Sequence, residues 1–203
     1  MDLHAITSLA ALEALYAQPS ELVRNKVAAR LDAPTRAFMA AAPFVLLGTT
    51  GEHGPHVTPR GDAPGFAEAL DDTTVALPDR RGNNRLDALR DILVDDRVAL
   101  LFLVPGAGEA LRIHGRASIT TDPALRARHV AQGKEPTTML VVRIISLYMQ
   151  CAKSVMRSRL WDGRARPAGL PTLGELLAAH MQGSIDGQAL DASMPATYER
   201  TMY

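Results

Sequence analysis

Asp79-Arg80-Arg81-Gly82-Asn83-Asn84-Arg85 runs directly into Leu86-Asp87-Ala88-Leu89-Arg90-Asp91-Ile92-Leu93, and a strand-like run at residues 73–77 leads into it. The order is strand, loop, helix. A helix macrodipole favours acids at the N-terminus and bases at the C-terminus. Here three arginines crowd the start, while Asp95 and Asp96 lie just past the end. That arrangement predicts an anion at the helix start. First-turn backbone N–H groups, guanidinium forks and a Gly-Asn-Asn approach that tolerates unusual dihedrals would together cradle a phosphate. Unlike the glycine-rich nucleotide loops, this one draws its charge from side chains. The plainer alternative makes Asn83 or Asn84 an N-cap and the arginines solvated surface.

Outward from this unit the hydrophobic period is mostly that of strands. Upstream, residues 44–50 read as a strand, 51–54 as a turn and 56–58 as the returning strand of a hairpin. Downstream, residues 97–104 are apolar almost throughout, as in a strand buried on both sides. Residues 110–119 alternate, with Leu111, Ile113, Ala117 and Ile119 facing one way and Arg112, His114, Arg116 and Ser118 the other. Asp122 and Pro123 start a helix predicted to reach about Gln132, and residues 139–149, rich in Val and Ile, supply the sixth strand.

Helical patterns flank these strands. Leu9, Leu12, Leu15 and Tyr16 share one face, and Leu22, Val23, Val27 and Leu31 recur at helical spacing, so two or three short helices are expected before residue 43. After the sixth strand come a helical or irregular arm, a loop at 163–171 and a last helix opened by a Thr172/Glu175 capping box and ending near Met181. Residues 183–203 are polar and show no element. Six such strands predict a mainly β fold with flanking α: a small closed antiparallel barrel, which leaves no exposed edge. A Rossmann arrangement needs a helix after nearly every strand, and the 44–60 hairpin breaks that alternation. One domain, residues 1–203, is expected, with a helical segment at 1–42, the barrel at 43–150 and a C-terminal helical arm at 151–203.

The composition narrows the function. At 203 residues, 47% apolar but only 4% aromatic, the chain has a core of Leu, Val, Ile and Ala. Basic and acidic residues balance at 22 each, so no overall field favours nucleic acid or an anionic bilayer. Cys151 is the only cysteine, and the six histidines show no metal-ligand spacing. Met1-Asp2-Leu3-His4 has no basic start or apolar run of a leader, and no stretch approaches membrane-spanning length. A cytoplasmic protein is expected.

Four motifs in order carry a family resemblance: Val57-Thr58-Pro59-Arg60-Gly61-Asp62 with Pro64-Gly65-Phe66; Leu77-Pro78 through Asp87; Leu111-Arg112-Ile113-His114-Gly115-Arg116-Ala117; and Cys151-Ala152-Lys153 with Arg157-Ser158 and Leu160-Trp161. The segment from about residue 44 to 162 resembles the FMN-binding split barrel of the pyridoxamine 5′-phosphate oxidase superfamily, and more narrowly a branch of uncharacterised FMN-binding proteins. The resemblance implies a six-stranded antiparallel split barrel and a homodimer with FMN at the subunit interface. Arg60 and the backbone of Thr58 and Pro59 would line the flavin side, with Pro78 in the same motif as the phosphate loop. Asn83, Asn84 and Arg85 would hold the phosphate, and Lys153 and Trp161 would close the site, from the same chain or its partner.

The sequence departs from the vitamin B6 oxidases in two places. Their Ser-Arg-Lys phosphate loop is Gly82-Asn83-Asn84-Arg85 here, and their Arg-Leu-His-Asp-Arg signature is Arg159-Leu160-Trp161-Asp162-Gly163-Arg164. In the closer branch a Glu and a His often precede Cys-Ala-Lys, where Ser146 and Gln150 stand. The first two departures argue against vitamin B6 oxidation, and Ser146 and Gln150 imply a drift in specificity if those positions touch substrate. Plainer roles exist for the other residues: Arg60 pairing with Asp62 or Asp79, Lys153 as a solvated amine, Trp161 in the core, and Cys151 as a small buried hydrophobe. His56 and His114 are candidates for substrate contact. The expected activity is FMN-dependent hydride transfer to or from a small organic molecule. The alternatives are a non-catalytic flavin- or haem-sequestering protein and a deazaflavin-dependent reductase.

Overall fold

The structure is a computed structural model that describes residues 4–203, so most of the N-terminal stretch inspected for a leader lies outside the described residues. Three short helices open it: α1 (Leu9–Glu13), α2 (Glu21–Asn25) and α3 (Ala33–Ala41). Each is capped by a side chain, from Ser8, Ser20 and Asp32 respectively. Only α3 reaches the core, through Met39. Of the two apolar sets read before residue 43, Leu9, Leu12, Leu15 and Tyr16 are exposed, as are Leu22, Val23 and Val27, while Leu31 is buried in the core.

The body follows as β1 (Phe44–Gly51), β2 (Gly54–Gly61), β3 (Glu68–Ala69), β4 (Thr74–Asp79), α4 (Asp87–Val94), β5 (Arg97–Leu103), β6 (Ala110–Thr120), α5 (Pro123–Arg128) and β7 (Thr138–Gln150). The predicted hairpin is present, with Gly51 opposite Gly54 and Gly54 at φ +93°.

All strands join one antiparallel sheet in the order β2-β1-β5-β6-β7-β4-β3. This corrects the expectation of six strands closed into a barrel. The sheet has seven strands and is open, because its edges are unsuited to pairing. On one side β2 carries Pro55 and Pro59, which cannot donate to a ladder, and on the other β3 is only two residues long. Two residues show no periodicity, so β3 was not readable.

The long strands β6 and β7 bind the two halves. The start of β6 pairs with β5, the start of β7 pairs with β4, and a bulge opposite His114/Gly115, which leaves Ile145 of β7 unpaired, lets β7 bend between them. Gly115 sits there because a Cβ would meet the Arg143 carbonyl oxygen at 2.5 Å. One core cluster accordingly draws Val45 and Leu47, Leu77, Leu100 and Phe102, Ile113, and Val142 from five different strands. Beneath β1, α4 adds Ala88 and Ile92. The burial of β5 alternates, which corrects its reading as a strand covered on both faces.

Two helices also differ from expectation. The helix after Asp122 ends at Arg128, because His129 turns inward to Glu68 and Gln132-Gly133, both at positive φ, close a tight Ala131–Lys134 turn. Beyond α6 (Lys153–Ser158) and α7 (Leu173–His180), the supposedly featureless residues 183–203 hold α8 (Gly187–Thr201). It packs on α7 where Gly174 and Gly187 let two backbones approach, and Asp191 accepts from the Gly174 N–H at 2.7 Å. Its weak amphipathic signal comes from a contact made by backbone rather than an apolar stripe.

Candidate functional site

The Asp79–Arg85 loop borders a cavity of about 760 Å³ between the outer part of β2 and the end of β4. That size suits a small-molecule or cofactor site. The cavity brings together Thr58, Pro59, Arg60, Pro78, Asn83, Asn84 and Arg85. On β2, alternate residues His56, Thr58 and Arg60 are the partly buried ones, as a strand with one face toward a cavity requires. Lys153 and Trp161 are not brought in. Lys153 is exposed at the start of α6, and the Trp161 indole donates to the Ala107 carbonyl at 2.7 Å, on the β5–β6 turn.

Arg60 is held at the cavity wall. Its Nη1 donates to Thr58 Oγ1 at 3.2 Å and to the Pro59 carbonyl at 3.0 Å, and its Nη2 lies 3.5 Å from Asp79. The partner is therefore Asp79, not Asp62. Burial pushes the Asp79 carboxyl above the usual aspartate range, with the Arg60 charge opposing. Arg60 Nε and, on β7, Thr138 Oγ1 are buried without a protein partner, although both residues line the cavity. Buried polar atoms normally have partners, so two orphans on residues lining one cavity, from β2 and from β7, mark where a polar ligand fits.

The three arginines of the loop divide their work. Arg80 reaches inward, with Nε on Asp62 at 2.7 Å and Nη1 on the His129 carbonyl at 2.5 Å. Arg85 bonds Asp87 at 2.9 Å, and this bond holds the Asp87 carboxyl below its usual range. Arg81 makes no ion pair among the described residues. The helix start itself is uncapped: Leu86 stands at the N-cap position with φ 60°, and no side chain bonds the first-turn N–H groups. Asn84, also at positive φ, adopts the left-handed conformation that asparagine tolerates. Neither Asn83 nor Asn84 is the N-cap. Asn83 instead accepts from the Arg85 N–H at 3.1 Å.

Sequence reasoning missed the other side of the cavity. Met202 and Tyr203 line it, and the Tyr203 hydroxyl donates to Asp62 at 2.9 Å while Arg80 lies over its ring. Burial opposes ionisation of Asp62, but the Ala63 N–H, Arg80 and Tyr203 outweigh it and hold the carboxyl below its usual range. No local pattern could reveal a contact across 141 residues. His114, a substrate-contact candidate, is exposed and stacks near Tyr148 instead, whereas His56 does line the cavity. Cys151 is exposed, against its reading as a buried hydrophobe. No group of His, Cys, Asp and Glu among the described residues could hold a metal, and none of their helices is long and apolar enough to cross a membrane.

A family model described as pyridoxamine 5′-phosphate oxidase matches residues 31–151, from just before α3 to just past β7. The chain belongs to that family. Among solved structures it is similar to HupZ from Group A Streptococcus, with 16% identity and a TM-score of 0.47, over 58% of this chain and 91% of the other. It is also similar to general stress protein 26 from Bacillus anthracis, with 15% identity and a TM-score of 0.43, over 56% and 88% of the two chains. A Clostridium acetobutylicum protein related to general stress protein 26, of the pyridoxinephosphate oxidase family, shows 15% identity and a TM-score of 0.43, over 58% and 86%. No curated protein matches the sequence.

Proposed function

We propose that the cavity binds FMN, with the phosphate at the start of α4, and that the protein is an oxidoreductase transferring a hydride between a small organic molecule and this flavin. The observation that carries the reading is the convergence of an uncapped helix start, free to bind an anion, and the unpartnered Arg60 Nε on one cavity. Asn83, Asn84 and Arg85 hold the phosphate, while Thr58, Pro59, Arg60 and Pro78 line the flavin side. The flavin supplies the redox chemistry when bound, and the chain binds, orients and shields it. Arg60 offers positive charge where reduction adds negative charge.

The working form is a homodimer of this one-domain split-barrel chain, acting in the cytoplasm. Lys153 and Trp161 lie away from the cavity of their own chain, so in this reading they close the partner's site. Family membership and the exposed apolar residues of α1 and α2 support a second copy.

The test is the absorption spectrum of freshly purified protein, with the released chromophore identified by mass spectrometry and the flavin then reduced anaerobically with NAD(P)H or candidate donors. Bound FMN that bleaches with a donor is expected. FMN that no donor bleaches would favour sequestration, and a released haem or deazaflavin would replace the FMN assignment.

A further inference from the structure

Beside the proposed flavin cavity lies a group of residues that the binding scheme does not use. His56 lines the cavity from β2, and its Nδ1 faces Asp91 Oδ2 at 3.5 Å. Asp91, on α4, is fixed by Thr49 on β1, whose hydroxyl donates to the same oxygen at 2.7 Å and itself lies 3.5 Å from His56 Nδ1 across the β1–β2 pair. Room for that carboxylate comes from Gly51, where any Cβ would overlap Asp91. Thr49 is buried, at 4% exposure. Three elements thus aim one carboxylate at one imidazole. The Nε2 of His56 has no hydrogen bond among the described residues and is the nitrogen left for the cavity. A spacing of 3.5 Å is an ion-pair distance rather than a tight hydrogen bond, and catalytic pairs often tighten only once ligand is bound.

We propose that His56, oriented by Asp91 and Thr49, is the proton-exchanging residue of this cavity and binds a proton when two electrons enter the bound flavin. The inference rests on the FMN reading and adds a residue to it. The donor gives up a hydride, two electrons and one proton, to the flavin. The negative charge this adds draws one further proton from water onto the His56 imidazole, and the donor is left oxidised by two electrons. Asp91 faces the ring from α4, with Asp87 one turn earlier on the same helix. Arg60 lines the same cavity farther along β2; as a rule a carboxylate beside an imidazole stabilises the protonated ring and a guanidinium the neutral one. Asp91 also fixes which ring nitrogen is turned to the cavity, the orienting role a carboxylate plays for a catalytic histidine.

The experiment has two arms. In flavin-free protein, NMR titration of the histidine ring signals should place the His56 midpoint at higher pH in the wild type than in Asp91→Asn, with His53 at the β1–β2 turn unmoved. Equal His56 midpoints would overturn the positioning role. In FMN-loaded protein, the flavin potential is followed against pH by spectroelectrochemistry. Above the pH at which reduced flavin itself gives up its N1 proton, the wild type should keep a window in which two protons accompany two electrons, and His56→Gln should lose that window and pass to one proton at lower pH. Identical profiles in the two proteins would overturn the proposal while leaving FMN binding intact. Failure of FMN to bind or to shift any cavity signal would remove the functional reading itself, and this inference with it.

Discussion

Tyr203 and Asp62, 141 residues apart, share a hydrogen bond of 2.9 Å at the mouth of the cavity. The bond ties the end of α8 to the loop after β2, and Arg80 completes the group by binding Asp62 and lying over the Tyr203 ring. Because the Asp62 side chain is only 5% exposed, its carboxylate depends on these donors rather than on water.

Tyr203→Phe should therefore lower stability by up to about 1 kcal/mol, the usual net value of one such bond. The pH dependence has a definite sign. The folded Asp62 carboxyl lies below its ordinary value, so its contribution is complete above the unfolded value of about 3.9 and is lost as pH falls through the folded one. Losing the tyrosine donor raises the folded value, so acid unfolding should begin at higher pH. Circular dichroism during acid titration checks this, and an unchanged acid transition would show that Tyr203 only rests against the site.

Arg60 and Asp79 behave in the opposite sense. Burial already pushes Asp79 above its usual range, and Arg60 is the charge that opposes the push. Arg60→Met should raise Asp79 further and leave an unpaired buried carboxylate at neutral pH. A raised carboxyl favours the fold below its unfolded value and loses that advantage as pH climbs through the folded one. The variant should thus be close to wild type near pH ~4 and fall increasingly behind toward pH ~7. Thermal melts across this range test it, and adding Asp79→Asn should restore much of the loss at neutral pH.

The parts of the fold that were legible in the sequence are those set by local periodicity. The β1–β2 hairpin, the alternating face of β6 and the helix caps at Asp122 and Thr172 rest on neighbours in the chain, and the structure matches them. The closure of the sheet is a property of its edges, and two prolines on β2 and a two-residue β3 leave it open. The loop from Asp79 to Arg85 was legible because its charge order conflicts with the helix dipole. Even so, the sequence overstated that conflict. Arg80 is taken up by Asp62, and Arg85 has Asp87 two residues away. Asp91 and Thr49 were invisible as a pair, since only the packing of α4 on β1 brings them together.

The bulge between β6 and β7 is testable separately from the site. Gly115→Ala places a methyl group against the Arg143 carbonyl oxygen and Val142 Cγ1 in a buried bulge, where neither backbone nor packed core can yield cheaply. A loss of about 1–3 kcal/mol is expected, as for other overpacked core positions. Gly82→Ala is the matched control, because a Cβ there meets nothing within 4 Å. Urea unfolding of both variants decides the comparison, and equal midpoints would mean that the bulge is not what fixes the pairing of β6 with β7.

The phosphate assignment makes the last prediction, and Asp87 gives it a direction that a generic loss of function lacks. Removing a charge-assisted contact should weaken FMN binding by roughly 1–3 kcal/mol, so Arg85→Ala should raise Kd by about one to two orders of magnitude. Asn84→Gly keeps the positive φ while removing the amide, and it should also bind more weakly. Asp87→Asn should do the reverse, since it removes the acid that now engages Arg85 and repels a dianion at the helix start. Stability should change little in Arg85→Ala, because the pair is exposed, with Arg85 at 73%. Fluorescence titration with FMN at two salt concentrations measures all three. Unaltered affinity in both loss variants, or weaker binding in Asp87→Asn, would move the phosphate away from α4.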